Sequence, residues 1–414
     1  MTTNEANPPT PPSPLRGEGE GPKKIRFAIG LRDFSKKKGG AERYLVDLCT
    51  RMASEDFEIH VYAEHWSDEI HGIHVHRIKT IRFPKSLRLL SFAVRATKEM
   101  EKENYDVTLG VGNTLKAHIL QPHGGVHWAW FWRSLRAYDH PFLWVIKFLG
   151  RVLSPKQWIQ GYIENAPYKK NGFYRIVAIS DMVKQDVMRW YGVPEDRIVV
   201  IYNGVDTERF HPRNCQYREE IRRRHGIGNE FVVLFVSNNF RMKGLAQLIQ
   251  ALAKIKKEGS PPLKCLILGR GRKDPYVRLA NKLGFSEELV FAGSTNEPEK
   301  YYGAAELLVH PAFYDAYSLT VLEALASGLP VITTASAGAS GILRHREEGW
   351  VIRDLKDGEE LRKAITYFLN EKRRHQAAHL AREKAKIYSE QANFNQMIAI
   401  FEETLRNRSM KMES

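Results

Sequence analysis

Two acids and two cations carry the chemistry that this sequence suggests. Asp315 and Glu323 stand eight residues apart in "YDAYSLTVLEALASGLPVITT", the first among small residues and the second in an apolar run. Ser318 reads as a helix N-cap and Gly328–Pro330 as a stop, which predicts a helix from about Leu319 to Ser327. Its first amides, near Leu319 and Thr320, would point unpaired into the loop, where the helix dipole is positive and an anion is favoured. Acceptors just before and one turn inside such an end suit a sugar hydroxyl and a ribose diol. A structural reading stays open, because Thr320, Glu323 and Ser327 also fall at the i, i+3, i+7 spacing of a polar stripe.

The cations stand in "SNNFRMKGLAQLIQAL" (237–252), where a strand ends and a polar loop places Arg241 and Lys243 ahead of a helix beginning near Gly244. Arg as a planar fork and Lys as a point charge could neutralise a diphosphate leaving group. Taken alone, the segment fits ordinary solvated surface charges better. In "KKKGGAE" (36–42), Gly39 and Gly40 would let backbone amides approach a ligand closely. Neither this loop nor "GRGRKD" (269–274) is GxGxxG, which speaks against a nicotinamide dinucleotide. His123, in "LQPHGGVH", closes a predicted strand and would face a cleft there, although a lone histidine also serves as structure; His127 is less well placed. No DxD pair occurs to hold a metal–diphosphate complex, so a bound diphosphate would depend on a helix end and cations.

The elements needed to position these groups are a long parallel α/β series. Runs at 24–30, 57–64, 105–112, 118–124 and 175–180 read as strands, and Ser180 as the cap of a helix stopping at Gly192. After "IVVIYNGVD" (198–206) the rhythm restarts with strands at 231–237, 264–269, 289–293, 305–311 and 330–334. Two such series predict two doubly wound domains with a ligand cleft between the carboxyl ends of their strands. The expected divisions are a disordered tail at 1–24, a first domain at 25–203, a second at 204–385, and a closing helix and tail at 386–414 that packs back over the junction.

With 414 residues the chain has room for two ordinary cores. Lys and Arg number 63 against 48 Asp and Glu, a net charge of +15 that favours an anionic partner. Three scattered cysteines without CxxC fit a reducing compartment and are expected to fill core space. Neither a secretory signal nor a membrane-spanning run is evident, so a cytoplasmic location is expected. One segment stands out: residues 126–158 hold five of the eight tryptophans with five Lys or Arg and one acid. That composition suits the headgroup region of an anionic membrane. An RNA-stacking surface or packing inside the first domain would use similar residues.

Taken in order, "GG.E" at 39–42, "VAISDMVKQDVMRWYGVPEDRIVVIYNGVDTERF", "SNNFRMKG" and "HPAFYDAYSLTVLEALASGLPVITT" resemble retaining glycosyltransferase family 4, over roughly residues 25–385. Within it the chain is most similar to the glucosyltransferases of the lipopolysaccharide inner core. The resemblance implies the GT-B fold: two Rossmann-like domains, an interdomain cleft and a C-terminal helix crossing back. It implies hexose transfer from a nucleotide diphosphate sugar, UDP-glucose being the favoured donor, to a lipopolysaccharide-core or other lipid-linked acceptor at the inner face of the cytoplasmic membrane, with retention and neither metal nor cofactor. Residue by residue, Asp315 would bind donor-sugar hydroxyls and Glu323 the ribose. Ser318, Leu319 and Thr320 would offer amides to the diphosphate, Lys243 its charge, and Gly39 and Gly40 a loop beside the phosphates. His123 would stand near the reacting centre. Two departures are visible: the first acid is Asp instead of Glu, and the family's frequent Arg is Asn238 here, with Arg241 as a substitute from another direction. Rival readings are a sugar-nucleotide epimerase on this fold and a non-catalytic basic protein binding membrane or RNA; a nucleic-acid partner is not expected, since no recognised module accompanies the basic segment.

Overall fold

The structure is a computed structural model that describes residues 24–36, 39–67, 70–138, 140–169, 172–355 and 358–413. The predicted tail therefore lies, but for Lys24, outside the described residues. Two parallel sheets organise the chain. The first comprises β1 (Ile25–Gly30), β2 (Phe57–Ala63), β3 (Ile73–Arg77), β4 (Val107–Gly110), β5 (Ile119–Leu120), β6 (Arg175–Ala178) and β7 (Ile198–Val200). Its order is β3-β2-β1-β4-β5-β6-β7. The second comprises β8 (Phe231–Val236), β9 (Leu263–Leu268), β10 (Leu289–Gly293), β11 (Leu307–His310), β12 (Val331–Thr334) and β13 (Gly349–Ile352), in the order β10-β9-β8-β11-β12-β13. Every neighbouring pair in both sheets is parallel.

The central strands are apolar because helices cover both faces. Phe27 and Ile29 of β1, Val233 and Phe235 of β8, and Leu307 and Val309 of β11 are all fully buried. β3 and β13 were not foreseen. β3, "IHVHR", is an edge strand of mixed polarity, and β13 is only four residues long. Ser180 caps the helix Asp181–Tyr191 as expected: its Oγ accepts from the Val183 amide at 3.2 Å, and Gly192 ends the helix at φ 65°.

Strand order reverses between β1 and β4 in the first sheet and between β8 and β11 in the second. Loops leaving adjacent strands at such a point diverge and open a crevice at their carboxyl ends. The first crevice is bordered by Gly39–Gly40, which opens the helix Gly40–Ala53. The second is bordered by the loop carrying Lys243 and the loop carrying Asp315.

The two domains touch through side chains. Ser180 Oγ donates to the Ala316 carbonyl at 2.8 Å, and the Tyr317 hydroxyl donates to the Asn203 carbonyl at 3.0 Å. The last helix, Glu390–Glu413, crosses back and places Phe394, Met397 and Phe401 in the core of the first domain. No helix among the described residues is long and apolar enough to cross a membrane. The cysteine expectation needs one correction. Cys49 and Cys265 are buried, but Cys215 is exposed because the short helix Pro212–Tyr217 turns Asn214 inward instead.

Candidate active site

The site is assembled around Asp315. The helix Leu319–Ala326 follows the loop from β11, and that loop is pinned from the far side: the Asp315 amide donates to the Ser336 carbonyl at 3.0 Å, and the Gly338 amide donates to the Asp315 carbonyl at 2.8 Å. Lys243 arrives from the loop after β8, just ahead of the helix Leu245–Lys257. Its Nζ lies 2.6 Å from Asp315 Oδ2 and donates to the Tyr314 carbonyl at 3.1 Å. His310, the last residue of β11, is 2 % exposed and places Nε2 3.0 Å from the same Oδ2. Burial pulls the Asp315 carboxyl upward, but the Lys243 ammonium and the His310 hydrogen bond outweigh it and hold the group below the ordinary carboxylate range. Burial lowers the pKa of His310, so its ring is neutral near pH 7 and donates from Nε2 to the carboxylate.

Ser318 stands at the helix start with φ 80°, a backbone region that side chains rarely adopt. Its predicted capping bond is absent; the hydroxyl instead lies 3.0 Å from Thr320 Oγ1. The side chain thus leaves the first amides of the helix, near Leu319 and Thr320, without the cap the sequence suggests. Glu323, one turn inside, accepts from the Tyr302 hydroxyl at 2.7 Å; burial raises its pKa and this bond opposes the rise.

The first domain closes the other side. A Cβ on Gly40 would stand 3.2 Å from Leu319 Cδ1, so the glycine at the head of the helix Gly40–Ala53 meets the head of the helix Leu319–Ala326. One turn along the former, Tyr44 packs against His123 with ring centroids 4.7 Å apart. His123 is buried, its Nε2 has no hydrogen-bond partner among the described residues, and burial lowers its pKa to about 3. It is therefore a neutral ring beneath Tyr44.

Two candidates are directed elsewhere. Asn238 Oδ1 accepts from the Arg270 amide at 2.9 Å and so fastens the Gly269–Gly271 loop. The Arg241 guanidinium lies 4.9 Å from the ring centre of Tyr138, a residue of the first domain. His310 and Tyr302 were missed in the sequence. His310 had a signal, since it ends a strand five residues before Asp315; Tyr302, in another helix, had none. Beside His123, a cavity of about 270 Å³ is bordered by Gly125, His127, Trp130 and Glu164. Glu164 Oε1 accepts from the His127 amide at 2.8 Å and from the Tyr191 hydroxyl, and burial raises its pKa to about 7.

Two family models match the chain in succession: Glycosyltransferase Family 4 over residues 38–209, and glycosyl transferases group 1 over residues 217–387. The first spans the Gly39–Gly40 domain, and the second spans the Lys243–Asp315 domain. The chain is a GT-B glycosyltransferase. This glycosyltransferase is 28% identical over 306 residues to an uncharacterized glycosyltransferase of Methanocaldococcus jannaschii, covering 69% of this chain and 73% of that one. It is 23% identical over 343 residues to the lipopolysaccharide glucosyltransferase WaaG of Escherichia coli, covering 79% of this chain and 86% of WaaG. The crystal structure of WaaG superposes with a TM-score of 0.72 at 21% identity, covering 91% of this glycosyltransferase and 99% of WaaG. Anabaena HepE in complex with UDP and glucose shares the fold at a TM-score of 0.67 and 19% identity, with 91% and 98% covered.

Proposed function

We propose that this glycosyltransferase moves a hexose, with retention, from UDP-glucose or a related nucleotide diphosphate sugar to a hydroxyl of a lipopolysaccharide-core or other lipid-linked acceptor. The observation that carries the reading is the Lys243–Asp315–His310 cluster at the head of the helix Leu319–Ala326, faced across the cleft by Gly40. Both contacts to Asp315 engage Oδ2, so hydroxyls of the donor sugar would meet Oδ1. The diphosphate would lie against the amides near Leu319 and Thr320 and beside Lys243, with Glu323 accepting from the ribose. In the reaction the bond from the anomeric carbon to the diphosphate oxygen breaks. The acceptor oxygen bonds to that carbon on the same face, and its proton passes to the departing phosphate. Charge grows on the diphosphate as the bond breaks, where fixed dipoles and an ammonium stabilise it most.

The membrane part of the proposal draws on the helix Pro141–Val152, which buries no residue among its twelve. Phe142, Val145, Ile146 and Leu149 are exposed along one side of it, with Leu153 just beyond. This surface would hold the enzyme on the inner face of an anionic membrane, where a lipid-linked acceptor is presented.

The test is a panel of UDP-, GDP- and ADP-sugars with and without acceptor, each run in magnesium and in EDTA. Release of nucleoside diphosphate from a UDP-hexose, dependent on acceptor and undiminished by EDTA, is the expected result. Release abolished by EDTA would overturn metal independence, and epimerised donor without acceptor would overturn transfer.

A further inference from the structure

At the edge of the first sheet, β2 and β3 carry a group of side chains that sugar transfer does not use. β2 and β3 pair in parallel with His60 opposite His74 and Tyr62 opposite His76. Side chains two apart share a face, so Glu58, His60, His74 and His76 gather on one side of the sheet. His60 Nε2 lies 2.7 Å from Glu58 Oε1, and His60 Nδ1 lies 2.8 Å from His76 Nε2. The His60 ring stacks on both neighbours, at 4.9 Å from His74 and 5.1 Å from His76.

We propose that Glu58, His60 and His74 form a binding site for a divalent transition metal of the zinc class, with water completing the coordination. One donor atom from each of the three residues lies within 4.8 Å of the other two. A tetrahedral ion with bonds of about 2.0–2.2 Å needs donors roughly 3.3–3.6 Å apart, so shifts on the order of 1 Å suffice. Two imidazoles and a carboxylate match the preferences of zinc, cobalt and nickel and not those of magnesium or calcium.

His76 supplies the outer support such a site needs. With Nε2 on the metal, His60 must carry its proton on Nδ1, and His76 Nε2 is already placed to accept it. Among the described residues, the cation paired with Glu58 is Arg26, its Nε 3.6 Å from Glu58 Oε1. Its fork is turned away, donating to the Asn104 carbonyl and to Glu103, both at 3.1 Å. A half-exposed Glu58 and an exposed His74 leave a path for the ion from solvent.

The experiment is a Co²⁺ titration of the full chain after treatment with EDTA, read by the visible d–d band, with a parallel Zn²⁺ series read by melting temperature. The expected result is one equivalent bound with a tetrahedral-type band, and a loss of affinity of at least tenfold in His74→Ala, whose exposed side chain can be removed without disturbing the core. His76→Phe should weaken binding 10–100-fold, and His76→Gln should recover part of it by restoring an acceptor. Absence of saturable uptake, or a loss smaller than tenfold in His74→Ala, overturns the site and leaves the cluster as a hydrogen-bonded packing unit. Unchanged affinity in His76→Phe overturns the role given to His76.

Discussion

Asp315 and Lys243 were each legible as residue types in suggestive places, but their partnership was not. They are 72 positions apart, and nothing in either loop says that the two loops share an exit. The reversal of strand order beside β8 and β11 supplies that, and with it the third member, His310. The contact has a kinetic consequence. Lys243→Ala should lower kcat by about 10²–10³-fold with a smaller change in donor affinity, because the ammonium meets more charge in the transition state than in the bound donor. Steady-state kinetics beside direct donor binding checks this, and equal losses in both would contradict it. The same substitution removes one of the two groups that hold the Asp315 carboxyl down, leaving only His310, so the acid limb of donor binding should move to higher pH. The sign follows from the ion pair: the favoured anion persists as pH falls until the depressed pKa is reached, and without Lys243 protonation comes earlier.

Glu164 offers a second test at this scale. Its folded pKa is raised from 4.5 to about 7 by burial. Below pH 4.5 both folded and unfolded forms are protonated and the site costs nothing. Between 4.5 and 7 the folded form holds the extra proton, so stability falls as pH rises, by at most ~3 kcal/mol when fully developed. Both hydrogen bonds to Glu164 go to Oε1, which Gln retains. Glu164→Gln should therefore match the parent near pH 4.5 and exceed it by about 1–3 kcal/mol at pH 8, measured by urea unfolding at the two pH values. A constant difference across that range would assign the effect to packing instead.

Among the elements, strands were the most legible and segment 126–158 the least. Buried parallel strands announce themselves as short apolar runs between turn residues, and the predicted strand positions hold from β1 through β12 apart from the edge strand β3, except that β5 is only Ile119–Leu120 and stops three residues short of His123, which lies in the loop beyond it. An amphipathic segment rich in aromatics carries no mark of which rings it buries. The structure divides this one: the helix His127–Leu135 gives Ala129, Phe131 and Leu135 to the interior, while the next helix, Pro141–Val152, gives nothing. A surface of that kind is costly to leave in water and unusual without a partner. Replacing Ile146 and Leu149 together by Glu should lower binding to anionic vesicles by more than tenfold, since each buried side chain contributes about 1.5–3 kcal/mol and the new charges are repelled. Both positions are exposed, so the melting temperature should stay within a degree or two. Vesicle sedimentation and a thermal melt of the double variant decide it, and retained binding would contradict the proposal that this helix contacts a membrane.

For the molecule as a whole, the sequence indicated two domains and a returning helix but not what the return accomplishes. Helical spacing in "FNQMIAIFEETL" says that one face is apolar without naming its partner. In the structure that face completes the first domain. Phe401 is fully buried with its ring 5.3 Å from Phe27 of β1, and the Asn393 side-chain amide donates to the Tyr202 carbonyl at the domain junction while its Oδ1 accepts from Tyr44. Tyr44 is the residue that covers His123, so one helix from the chain's end supports the core, the junction and the wall of the site together. Phe401→Ala should cost about 3–5 kcal/mol, the usual range for truncating a buried aromatic. The loss belongs to the first domain, while the second keeps its own sheet and core. Unfolding of the variant should accordingly split into two transitions, the earlier one abolishing transfer and the later one retaining protection of β8 and β11 against amide exchange. A single cooperative transition, merely shifted, would mean that the domain contacts at Ser180 and Tyr317 bind the two cores into one unit even without that ring.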